Sequence, residues 1–122
     1  MDENSASEKR THIFYYVVIL GPIIETLLFQ ALPFSIARLL KLNIWFTLLL
    51  MTSPFALLHY PNGLIGIVNA FLGGLIYSTS FIVWEKNSYK VALCIVMAIH
   101  GLHNLEVTGL GYGLMYVLER LN

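Results

Sequence analysis

Four apolar runs, each close to the length that crosses a bilayer, constrain this chain more than any other feature. They span residues 13–34, 44–60, 64–84 and 91–105, against about 20 residues for one crossing. Polar turns separate them: "KLN", "YPNG" and "EKNSYK". In hydrocarbon every backbone N–H and C=O must be satisfied within the protein, so such runs fold as helices. The expectation is an all-α, polytopic membrane bundle of about four transmembrane helices. The tail "GLGYGLMYVLER" predicts a short C-terminal helical extension, either continuing the fourth helix or separate from it. Residues 1–12 read as a polar tail and 13–122 as one core domain.

Composition agrees. Of 122 residues, 57% are hydrophobic and only 11% charged, which excludes an ordinary soluble domain. The formal net charge is zero, so no nucleic-acid partner is expected. Cys94 is the single cysteine and has no partner in the chain for a disulfide. Lys9 and Arg10 precede an apolar run as in a signal peptide, but Glu25 and Gln30 interrupt that run and no small-residue cleavage site follows. Tyr15, Tyr16 and Tyr60 mark one interface, and Trp45, Trp84 and Tyr89 the other. Alternation puts Arg38, Lys41, Lys86 and Lys90 opposite Lys9, Arg10 and Arg120, four cations against three, which does not fix orientation.

Pro22, Pro33 and Pro54 lie inside apolar runs. Each removes a backbone donor and kinks its helix; Pro22, three residues before Glu25, is placed to aim that side chain inward. Gly66, Ala70, Gly74 and Ser78, four apart, predict a flat stripe for close helix packing. Asn69 is expected to make an interhelical hydrogen bond.

Ionisable groups inside spans are costly and usually face a bundle interior. Here they are Glu25, His59, His100 and His103, with Gln30 and Asn104 as neutral companions. His100 and Asn104 are four apart and share a helix face; His103 is offset from it. Glu25, His59, His100 and Asn104 are expected to cluster in the half of the membrane nearer the N-terminus. A single histidine in an apolar helix is ordinarily a packed, hydrogen-bonded residue. Four polar groups converging from three spans favour function instead.

Three motifs, in order, resemble the CPBP (also ABI) family of CAAX-processing and bacteriocin-processing intramembrane glutamic proteases. "ETLLFQ", residues 25–30, is similar to the family's Glu-Glu-x-x-x-Arg. "FALLH", 55–59, matches Phe-x-x-x-His, and "HGLHN", 100–104, matches His-x-x-x-Asn. The resemblance covers about residues 13–105. It implies an intramembrane endopeptidase in which Glu25 is the general base assisted by His59, and His100 and Asn104 are donors to the oxyanion. Thr26 stands where the family has its second glutamate and Gln30 where it has arginine. With His103 these are accessory positions. The resemblance further implies a peptide or membrane-protein substrate, such as a prenylated tail or a bacteriocin precursor, in a lipid bilayer, most simply the bacterial cytoplasmic membrane. No cofactor is expected. Zinc held by Glu25, His59 and His100 is the alternative, disfavoured because no His-Glu-x-x-His is present. Two other functions compete: a catalytically altered relative serving as a membrane scaffold or bacteriocin-immunity factor, which Thr26 and Gln30 favour, and a proton relay, which needs a polar path across both halves of the membrane.

Overall fold

The structure, a computed structural model, describes residues 11–121, with side chains through Leu110. Four helices follow one another: α1 (Thr11–Leu39), α2 (Ile44–Leu58), α3 (Gly63–Glu85) and α4 (Tyr89–Leu121). No strand occurs among the described residues. The chain is an all-α membrane-type bundle. Segments Thr11–Leu39, Tyr60–Glu85 and Tyr89–Leu110 are each long and apolar enough to cross a membrane. Helix α2, at 15 residues, rises about 22 Å and is the short member. The C-terminal segment continues α4 without a break. Most of the tail, residues 1–10, lies outside the described residues; Thr11 and His12 are already helical.

The turns follow from their residues. Lys41 takes a positive φ of 52°, with the Leu42 amide on the Ala37 carbonyl and the Lys41 amide on Arg38. This left-handed closure ends α1. Asn43 then caps α2, its Oδ1 accepting from the amides of Trp45 and Phe46 at 3.1 Å, two of the donors a helix start leaves unpaired. Across "YPNG", a 3₁₀ turn over Tyr60–Asn62 ends at Gly63, whose φ of 72° suits glycine.

Helix α1 is not a plain α-helix. It contains two π-helical turns, Tyr16–Leu20 and Leu27–Ala31, and each ends two residues before a proline, Pro22 or Pro33. The short α-helical segment Gly21–Thr26 between them carries Glu25. The prolines are thus absorbed as local widening of the helix, a feature that recurs at functional sites.

The core runs through the middle of the bundle: Phe34, Met51, Phe55, Tyr77, Phe81 and Val96 are all buried. Phe34 and Tyr89 each meet Phe81 edge-on, at 5.3 and 5.4 Å between centroids. The small-residue stripe of α3 packs on α2: a Cβ at Gly74 would lie 3.0 Å from the Phe55 ring and 3.2 Å from Thr52 Cγ2. Ser78, the last of the stripe, meets Thr52 Oγ1 at 3.3 Å, and both are fully buried. Asn69 differs from expectation. It is exposed on α3, because it sits one residue before the packed stripe, and no interhelical hydrogen bond to it is found among the described residues.

At the end of the bundle away from the N-terminus, Arg38 pairs with Glu85 and its guanidinium lies over the Phe34 ring at 5.9 Å. This places the cation from the α1–α2 turn beside the α3–α4 turn, as the alternating topology requires.

Candidate active site

Glu25 enters the bundle from the widened stretch of α1. Its Oε2 lies 3.3 Å from Nε2 of His100 on α4. Its Oε1 lies toward Gly21, one turn earlier, where an added Cβ would sit 3.8 Å from it. The two partners differ in accessibility: the His100 side chain is 2% exposed and that of Glu25 25%. The pair is closed on its imidazole side and partly open on its carboxylate side.

The His100 ring is fixed by aromatic neighbours. Tyr77 of α3 stacks on it, with centroids 4.4 Å apart and planes 24° from parallel. Phe55 of α2 meets it edge-on at 5.5 Å. Phe55 also touches the rings of Phe29 at 5.8 Å, Tyr77 at 5.8 Å and His59 at 4.9 Å. It is the hub on which the three expected contributors, α1, α2 and α4, converge with α3.

His59 closes α2. Its Nδ1 lies 3.0 Å from the Phe55 carbonyl; a carbonyl only accepts, so Nδ1 carries the proton. In the neutral ring Nε2 is then a free acceptor, the form a base needs. The histidine in contact with Glu25 is His100; His59 reaches the same neighbourhood across Phe55. Asn104, one turn beyond His100, uses its amide nitrogen to donate to the Val17 carbonyl of α1 at 2.9 Å. One of its two N–H groups is therefore engaged and the other is not. His103 is exposed and meets only the edge of Tyr77, at 6.4 Å.

Thr26 and Gln30 are fully buried, one helical turn apart on α1. Thr26 Oγ1, both polar atoms of the Gln30 amide, and His100 Nδ1 have no hydrogen-bond partner among the described residues. Buried polar atoms are normally paired, so this strip beside Glu25 is where the interior is least satisfied. Among the described residues no three carboxylate, imidazole or thiol groups converge at metal-ligand range; Glu25 and His100 meet, and no third such group joins them. An open apolar groove of about 480 Å³ runs between α1 and α4, passing Gly101.

The family model for type II CAAX prenyl endopeptidase Rce1-like proteins matches residues 8–105. The chain belongs to that family. The match spans α1 through the site-bearing part of α4, so all three motifs of this Rce1-like chain fall within it. No curated protein and no solved structure matches the chain. Tyr77 was not singled out from the sequence. A signal was available: a tyrosine in the middle of an Rce1-like span, far from either interface belt, is out of place unless something inside engages its ring.

Proposed function

We propose that this chain is a multi-pass intramembrane endopeptidase of the CAAX-processing type. It hydrolyses a peptide bond with a water activated by Glu25 and without a metal. The observation that carries the reading is the contact of Glu25 with His100, deep in apolar helices of a family of prenyl endopeptidases. A carboxylate–imidazole pair within apolar spans is costly in a membrane and is ordinarily retained for chemistry.

The roles follow from the atoms. Water approaches Glu25 from its accessible side. The carboxylate, held through Oε2 by His100, takes a proton from the water as its oxygen bonds to the scissile carbonyl carbon. His59, with Nδ1–H spent on Phe55, offers Nε2 to the same water. Negative charge then develops on the former carbonyl oxygen. Once Glu25 is protonated and no longer holds it, the Nε2–H of His100 turns to that oxygen, and with the unspent N–H of Asn104, from the same face of α4, donates to it. Collapse of the tetrahedral intermediate breaks the C–N bond, and the departing amine takes the proton from Glu25. The apolar groove beside Gly101 offers a lipidated substrate a place to lie next to the site. A prenylated tail is the substrate class that fits best, with a bacteriocin precursor second. The bacterial cytoplasmic membrane is the setting that the reading implies.

The test is cleavage of a farnesylated CAAX peptide by purified protein in detergent or nanodiscs, read by mass spectrometry. Glu25→Gln is expected to lose at least about 10³-fold, the range for removing a general base from a site, while remaining folded. Wild-type turnover by Glu25→Gln overturns the assignment. Stoichiometric zinc whose removal abolishes turnover and whose return restores it overturns the metal-free mechanism.

One observation favours a second reading, the catalytically altered scaffold or immunity factor. The two positions that depart from the family pattern, Thr26 and Gln30, are both fully buried next to Glu25 with polar atoms unpaired. If the native chain is inactive and the Thr26→Glu/Gln30→Arg double variant cleaves, that reading stands.

A further inference from the structure

Asn104 does something the expected oxyanion role does not require. Its amide reaches across to α1 and donates to the carbonyl of Val17 at 2.9 Å. The reason that carbonyl is available lies in the sequence. In the first π turn the Gly21 amide donates to Tyr16. The next amide, at position 22, would donate to Val17 in the π register or to Val18 in the α register. Position 22 is proline, which has no N–H. Val17 is on the exposed side of α1, and in hydrocarbon a carbonyl left this way must find another donor in the protein.

Helix α4 meets both carbonyls. Asn104 donates to Val17. Gly101, three residues earlier, brings its backbone so close that a Cβ there would sit 2.9 Å from the Val18 carbonyl oxygen. Real Cβ atoms essentially never come so near, so this approach needs glycine. His100 immediately precedes Gly101, and Glu25 lies one turn beyond Pro22. The contact between α1 and α4 that aligns the reactive pair is therefore made by the defect that proline opens and by the two residues that occupy it.

We propose that Asn104 and Gly101 form a latch on the carbonyls of Val17 and Val18, one of which loses its donor at Pro22, and that this latch sets the register in which His100 meets Glu25. Asn104 is in this respect a positioning residue, acting through α1 with one N–H while the other remains for the oxyanion. The inference needs Glu25 and His100 to act together; it does not depend on which bond they cleave.

The test is a double-mutant cycle, which isolates a pairwise term. The variants are Asn104→Leu, close in shape but unable to donate, Pro22→Ala, which returns an amide N–H to α1, and the pair combined. Two readouts are used: the thermal midpoint of the full chain in detergent, and the imidazole ¹⁵N resonances of His100, assigned by their absence in His100→Ala. Asn104→Leu is expected to lower the midpoint by a few degrees and to move the His100 resonances toward their position in Glu25→Gln. In the Pro22→Ala background at least half of the midpoint loss is expected to vanish, because the carbonyl has its donor back. Gly101→Ala should move the His100 resonances as well, with the Asn104 amide intact. If Asn104→Leu does not fold alone, recovery of the folded protein in the Pro22→Ala background supports the latch, and failure to recover overturns it. Unchanged His100 resonances in Asn104→Leu or Gly101→Ala, or fully additive midpoint losses, also overturn it. A wild-type protein that cleaves no peptide bears on the peptidase reading and leaves these outcomes untouched.

Discussion

The two π turns of α1 use one backbone device in opposite ways. The first, Tyr16–Leu20, opens toward α4 at a polar point, the Asn104 amide on Val17, and the segment after it bears Glu25. The second, Leu27–Ala31, is tied at its last residue, not at the carbonyl its proline frees, which by the same count is that of Leu28 or Phe29. The Ala31 carbonyl accepts from Ser35 Oγ at 2.8 Å and from the Tyr89 hydroxyl at 3.1 Å, and those two oxygens lie 3.2 Å apart. Tyr89 also braces Phe81 edge-on. Both ties run from α4 to α1, one near each end of the antiparallel pair, with Glu25 and His100 between them. The closed triangle is redundant, since losing one oxygen leaves another on the same carbonyl. The open latch has one donor and sits within a turn of His100. On the proposed reading, a local distortion becomes functional where its loose ends are finished by the residues that also place Glu25 and His100.

That contrast can be broken at several points. The largest effect is expected from Gly101→Val. Two extra branches against the Val18 carbonyl must push α4 off α1 at the first turn, and peptide cleavage should fall at least about 10²-fold, as expected for an ångström-scale misplacement of reacting groups. Steady-state kinetics in nanodiscs measures it, and kcat rather than KM should carry the loss. Tyr89→Phe tests the closed end. It removes one hydroxyl but leaves Ser35 on Ala31, so the cost is about 1 kcal/mol of stability, seen as a lower thermal midpoint with kcat unchanged. A large loss of kcat there would erase the distinction between the two turns. The smallest effect is expected from Gln30→Leu. The amide is buried with both polar atoms unpaired, and replacing such a group by an apolar one of similar shape is near neutral or stabilising. A destabilisation of more than about 2 kcal/mol would mean that Gln30 is well paired in the folded protein.

Much of this was legible in the residues. Four apolar runs, with Asn43 before one helix and Pro-Asn-Gly before another, gave the helices and their order, because membrane length and turn chemistry are local properties. Glu25 and His100 stood out because charge in hydrocarbon is expensive, and the family match covers the motifs that contain them. The clustering of His59 with them is looser than the spacing suggested: it shares Phe55 with His100, while the contact to Glu25 belongs to His100. What could not be read is what depends on helix rotation. Proline foretold a kink, but not that the helix would widen before it. The spacing of His100 and Asn104 foretold a common face, but not that Asn104 would be engaged by Val17. Asn69 and Tyr77 lie on the same helix, and only packing decides that one faces outward while the other stacks on an imidazole. The burial of Thr26 and Gln30 follows from the same rotation of α1.

The length of α2 has a consequence for how water reaches groups held inside oil. Fifteen residues climb about 22 Å, while a typical hydrocarbon layer is about 30 Å thick. Tilting cannot lengthen a helix that is already too short. The lipid must thin around it, or its polar ends must sink. Trp45 lies near one end of α2 and His59 closes the other, so a shortfall of roughly 8 Å brings the headgroup level nearer to the ends of this helix than to those of its neighbours. The reagent that every peptide hydrolysis consumes then needs no channel through the bundle. On the peptidase reading proposed above, it has a shorter way down from the thinned surface to the accessible side of Glu25.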